Sequence, residues 1–255
     1  MNFFFGIKSS IIESCLTIPK FQNFGKSNKE LKIFEAFPQN NKWKINQVNC
    51  EENENFFLIN NQIENNNFFF LADLNELKRF TDNDFNKIIK LNNFTVTTPA
   101  YRANLKIFLL NGGYSSYQSE YPFDLTTKRG SILSPTSILL NKNCNQNFIF
   151  FKNIFHLPII EKSKLYFVNY KARKVIYKID IFSNQLNEIH VKNELVNDEI
   201  YLFTENCLGI PLFVSIKDSQ ISFEHTHPPH HYILSEDRYE RISKLKDEFK
   251  RIINE

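Results

Sequence analysis

The chain has 255 residues and a formal net charge of +3, and 42% of its residues are hydrophobic and 15% aromatic. A disordered tail is excluded, because this apolar content is enough for a core. A strongly basic nucleic-acid binder is excluded as well, because +3 over this length sets up no large positive field.

Asn (33 residues) and Phe (27 residues) are over-used, with Lys and Ile also common. These types share A/T-rich codons, and the Asn residues are dispersed among charges and aromatics. Compositional drift therefore describes them better than a prion-like tract. The four cysteines, Cys15, Cys50, Cys144 and Cys207, form no CxxC pair. The start, Met1-Asn2-Phe3-Phe4-Phe5-Gly6, has no positive region, and no apolar run approaches the roughly 20 residues of a membrane span. The expectation is a soluble protein of the reducing cytoplasm, with neither nucleic acid nor membrane as partner.

In chain order, short segments rich in Ile, Val, Phe and Tyr read as strands. They are Lys32 to Phe37, Lys42 to Val48, Phe56 to Asn60, Phe68 to Leu71, Ala103 to Leu110, Ser131 to Leu140 and Phe148 to Phe155. Leu165 to Tyr170, Lys174 to Ile181, Glu188 to Val191, Glu199 to Thr204, Leu212 to Ile216 and Ile221 to Glu224 follow. Leu165 to Tyr170 and Lys174 to Ile181 predict a hairpin across a charged turn. Asn111-Gly112-Gly113 predicts a second turn, since Gly accepts positive φ without steric cost. Asp73 to Leu91 carries an imperfect helical stripe. In Ser235 to Ile253, Tyr239, Ile242, Leu245, Phe249 and Ile252 line one helix face behind Ser235 as a cap, with Glu236 and Asp237 at the positive end.

This pattern predicts a mainly β protein. Residues 1–97 form a β-rich N-terminal segment ending in helix, 98–234 a β-sandwich or jelly-roll-like domain, and 235–255 a C-terminal amphipathic helix packed on the sandwich.

The most specific chemical feature is Glu224-His225-Thr226-His227-Pro228-Pro229-His230-His231, which holds four of the six histidines. Residues two apart on a strand point to one side, so His225 and His227 can present two imidazoles to one ion. Glu224 or Glu120 supplies a carboxylate, and His230 or His231 a third ligand or general base. Such a set suits a divalent metal, Zn, Fe, Mn or Ni. The HxH pair resembles the cupin metal motif over His225 and His227 alone. The Glu and the Gly-rich frame of that motif are absent, with His231 or Tyr232 near the expected Glu. The segment also reads as a loop shaped by its two prolines, or as a pH-sensitive surface.

A second candidate is Tyr114 to Phe123. There Tyr114, Tyr117, Gln118 and Tyr121 combine rings with polar groups, as a sugar site requires. The same stretch reads as an ordinary edge strand. Arg129, in the basic turn Thr127 to Ser131, can hold a phosphate or carboxylate. Cys207 reads either as a nucleophile or as a small buried hydrophobe. Two functions follow. One is a metal-binding sandwich acting on or sensing a small polar metabolite or sugar. The other is a non-catalytic glycan- or protein-binding module. A homo-oligomer is compatible with both.

Overall fold

The computed structural model describes residues 2–20, 24, 30–73, 75, 94–98, 100–110, 112–225 and 235–255. It is mainly β, and the described residues form two compact units. The first comprises Met1–Thr127 with Ile154–Ile160 and Asn184–Leu186. The second comprises Lys128–Asn153, Glu161–Ser183 and Asn187–Glu255. Apart from Asp73 and Asn75, the helical stripe expected over Asp73 to Leu91 lies outside the described residues. Among the described residues, no helix is long and apolar enough to cross a membrane.

The first unit contains β1 (Asn2–Phe3), β2 (Ile12–Pro19), β3 (Lys32–Gln39), β4 (Lys42–Gln47), β5 (Glu51–Glu52), β6 (Phe56–Ile59), β7 (Phe68–Ala72), β8 (Asn104–Leu109), β9 (Tyr114–Gln118), β10 (Tyr121–Pro122) and the short α1 (Phe123–Thr126). One sheet runs β5-β6-β2-β8-β9, another β4-β3-β7. The β1–β10 pair joins β7 through the Phe4–Phe69 bridge. The sequence reading leaves out β2, although its alternation is plain: Ile12, Ser14, Leu16 and Ile18 are buried in turn. The β3–β4 hairpin turns at Asn40 and Asn41, with φ of 51° and 58°. Asn tolerates that left-handed region better than other non-Gly residues.

The second unit contains β11 (Leu133–Pro135), β12 (Gln146–Lys152), β13 (Lys162–Asn169), β14 (Lys174–Phe182), β15 (Leu186–His190), β16 (Ile200–Phe203), β17 (Ile210–Lys217), β18 (Gln220–His225) and α2 (Arg238–Asn254). Its two antiparallel sheets, β11-β16-β13-β14 and β15-β12-β17-β18, share one core. Ile149, Phe151 and Phe213 from one sheet meet Leu165, Phe167, Ile181 and Leu202 from the other. This is a sandwich-like arrangement. The expected β13–β14 hairpin forms, with Asn169 opposite Lys174 and a bulge between Phe167 and Val168. The strand expected over Ser131 to Leu140 is a correction: only Leu133–Pro135 pairs. Thr136 donates its hydroxyl to the Leu195 carbonyl (3.0 Å) and accepts Leu140 N–H at its own carbonyl (3.2 Å), which turns the chain out of the sheet.

Helix α2 covers the outer face of the first of these sheets. Phe249 and Ile252 pack with Leu133, Val168 and Phe203, and the Phe249 ring stacks on Tyr170 at 5.5 Å. Within the expected stripe Ile242, Phe249 and Ile252 are buried, whereas Tyr239 is 61% exposed. Ser235 is not the cap. The cap position is Asp237, which makes no side-chain cap bond and instead pairs with Arg241 at 2.7 Å.

Both faces of the β12–β17 ladder are buried. At its end Lys152 stands opposite Ile210, on the face that carries Phe148 and Phe150. Gly209 precedes it on the partner strand, and a Cβ there would strike the Lys152 carbonyl and the Phe151 ring. Lys152 is 1% exposed, and burial pulls its ammonium from the ordinary 10.5 down to about 7. The fold thus favours the neutral amine, whereas the unfolded chain keeps its proton up to about 10.5. Between those values the unfolded state binds more protons, so stability rises with pH. Lys152→Met is predicted to raise the unfolding free energy at pH 7 by ~1–3 kcal/mol. Denaturant titration should show that gap closing as the pH approaches 10.5. A gap independent of pH would exclude the buried ammonium as its source.

Candidate functional site

The expected site residues are distributed over both units. Glu224 and His225 end β18, where Phe213 and Leu212 are their partners on β17. The His225 ring is 15% exposed, and its Nδ1 lies 3.9 Å from Glu224 Oε2. The same carboxylate accepts the His225 backbone N–H at 3.1 Å. His227, His230 and His231 lie outside the described residues. Among the described residues, no three His, Cys, Asp or Glu side chains gather as a metal-binding group.

Glu120 belongs to the first unit and has structural partners there. It accepts Ala103 N–H at 3.2 Å and pairs with Arg102 at 3.3 Å. Burial pushes its carboxyl above the usual carboxylate range, against the pull of Arg102. The tyrosines of Tyr114 to Phe123 part company. β9 is an edge strand, and its pairing with β8 sets Tyr117 beside buried Leu105, on the core side. Tyr114 and Gln118 face the other way. Tyr114 is 68% exposed, with the Lys106 ammonium 4.0 Å above its ring. Tyr121 is fully buried and offers no face to a ligand. Arg129 pairs with Glu161 at 2.5 Å. Cys207 sits in the sandwich core, and burial pushes its thiol up to about 12, so it is a packing residue.

The sequence reading missed a polar cleft in the second unit, of about 600 Å³. Its walls are the Ser137–Asn143 loop after β11 and the Val196–Asp198 segment before β16. Ser215 and Ser222, a directly opposed pair on β17 and β18, close one side. A buried network holds the loop. Asn147 is fully buried, and its Oδ1 accepts the Ser215 hydroxyl at 2.6 Å. Its Nδ2 donates to the Asn141 carbonyl (3.0 Å) and to Asn193 Oδ1 (2.9 Å). Asn141 N–H donates in turn to Ser215 Oγ at 3.0 Å. Across the cleft, Asn197 Oδ1 accepts Glu199 N–H at 2.9 Å.

These bonds use the inward side of the loops and leave polar groups open to solvent on the cleft side. Among the described residues, the side-chain amide nitrogens (Nδ2) of Asn141, Asn143 and Asn197 and the hydroxyls of Ser137 and Ser222 make no protein hydrogen bond. Lys142 and Asp198 add one charge of each sign, and Ile138 is 74% exposed at the rim. Such a surface can exchange hydrogen bonds with hydroxyl and carbonyl groups.

No protein-family model, curated protein or solved structure matches the chain.

Ser215→Ala removes the group that both supports Asn147 and accepts from Asn141. It is predicted to lower the unfolding free energy by ~1–3 kcal/mol, because buried partners lose a bond. Thermal unfolding checks this, and an unchanged midpoint would show that the network does not hold the loop.

Proposed function

We propose that the protein is a non-catalytic binding module whose second unit takes a small polyhydroxylated ligand, a mono- or disaccharide, in the Asn141–Asn197 cleft. The supporting observation is the set of solvent-facing amides and hydroxyls on walls held by the Asn147–Ser215 network. Amides bind vicinal hydroxyls as paired donors and acceptors, and Asp198 accepts strongly from a hydroxyl. Ile138 offers an apolar surface to a sugar's CH face. Among the described residues the lining has neither a histidine nor a carboxylate pair, which suits binding rather than turnover. A volume near 600 Å³ is within the range of small-molecule sites.

Calorimetric titration of the full chain with glucose, galactose, mannose, N-acetylglucosamine and maltose is the test. At least one sugar should bind in the millimolar range, as expected for an exposed polar site. Asn141→Ala with Asn197→Ala should weaken it about tenfold, the sum of two modest hydrogen bonds. Tyr114→Ala, on the outer face of β9, should leave it unchanged. No binding by any sugar, or loss only in the Tyr114 variant, contradicts this assignment.

A divalent metal at the histidine-rich segment is a second reading, favoured by the approach of His225 Nδ1 to Glu224 Oε2. Zn²⁺, Fe²⁺, Mn²⁺ or Ni²⁺ would draw on His225 and Glu224, with His227, His230 and His231 as the remaining proposed ligands. Elemental mass spectrometry of protein purified without a His-tag should then find about one metal per chain, lost in His225→Ala with His227→Ala. Protein that stays metal-free after reconstitution with each ion would rule this reading out.

A further inference from the structure

We propose that β14 is a docking edge for an extended acidic peptide that adds to the sheet as a further strand. β14 is the last strand in the order β11-β16-β13-β14, and its nine residues have no strand on the other side among the described residues. A groove of about 560 Å³ runs between this edge and the last turn of α2. Its apolar wall includes Tyr166, Val175, Tyr177 and Ile252. Its rim carries Arg173, Lys174 and Lys178 and one carboxylate, Glu255, which pairs with Arg173 at 3.7 Å.

Three observations select the partner. The first is exposed apolar surface on the edge itself: Ile176 is 45% and Tyr177 43% exposed. Ile176 is the extra residue of the bulge, where the register passes from Phe167–Tyr177 to Val168–Val175. A bulge re-aims its side chain out of the ladder. The second is charge. Lys174 and Lys178 make no ion pair among the described residues, whereas the nearby Lys162 and Lys164 both contact Asp180. The third concerns a second copy of the chain as the occupant. Two β14 edges paired about a two-fold axis would bring lysine-bearing strands together, which like-charge repulsion opposes. The same lysines attract an acidic strand. Across the bulge Lys174 stands opposite Asn169 and Lys178 opposite Tyr166, on opposite faces and three positions apart on a regular strand, so the fitting partner carries acidic residues at i and i+3 with apolar residues between them.

The inference uses none of the cleft's residues and stands apart from the saccharide assignment. The test is fluorescence anisotropy of the full chain with a labelled synthetic octapeptide built on a Glu-Val-Val repeat. The controls are the matching Lys and Val peptide and a Glu and Val peptide N-methylated along one backbone edge. The acidic peptide should bind, and both controls should fail. Lys174→Glu with Lys178→Glu should weaken binding about tenfold, since two attractive contacts become repulsive. Both positions are exposed, and circular dichroism verifies that the double variant stays folded. The proposal is overturned if the acidic peptide does not bind, if either control binds equally well, or if the double variant binds as tightly as the parent. Sedimentation showing a dimer that the double variant abolishes would overturn it in favour of a second copy.

Discussion

The antiparallel ladder of β12 and β17 is the constraint on which the second unit depends. Seven residue pairs run from Gln146–Ile216 to Lys152–Ile210. Because the side-chain period of a strand is two, this register decides two things together. Ile149, Phe151 and Phe213 enter the sandwich core. On the same face, one step beyond, Asn147 and Ser215 are directly opposed and form the hydrogen bond that supports the cleft loop. A slip of one residue would send the core aromatics to the other face and separate the polar pair. The hydrophobic register and the geometry of the candidate site are one choice made by the same strands.

Asparagine also has structural work in this fold. Asn40 and Asn41 supply positive φ at a hairpin, and Asn184 does so at φ 56° while fixing its surroundings by side-chain bonds. Asn187 accepts Phe182 N–H and donates to the Phe151 and Phe182 carbonyls. Asn147 and Asn193 secure the cleft loop. A side chain with one acceptor and two donors satisfies backbone groups that have left the ladder. Drift explains why the residue is common, and local hydrogen bonding explains how these positions use it.

Periodicity made much of the fold legible. The β13–β14 hairpin follows from two alternating runs around a charged turn, and α2 from apolar residues at helical spacing, because both signals are local. β2 was equally readable in Ile12, Ser14, Leu16 and Ile18, where a serine in an apolar row obscured the pattern. Its pairing with β8, some 90 residues away, has no local signature. The candidate cleft was hidden for a related reason. Ser131 to Leu140 is rich in strand-forming residues, but Thr136 bonds to the Leu195 carbonyl and diverts the chain into the cleft wall. That partner is 59 residues away and invisible to propensity. The tyrosine stretch shows the opposite case. Alternation correctly makes it an edge strand, and only the β8 register shows that Tyr114 faces outward while Tyr117 faces the core.

The Asn147–Ser215 end of the ladder holds the cleft loop in place in the free protein. Amide hydrogen exchange of Asn141 in the free protein tests it most directly, because its N–H donates to Ser215 Oγ and Asn147 Oδ1. Protection like that of the β12 amides is expected, although the Asn141 side chain is exposed and sits in a loop. Exchange at the rate of an unprotected loop would contradict it and show that these bonds do not hold the cleft loop.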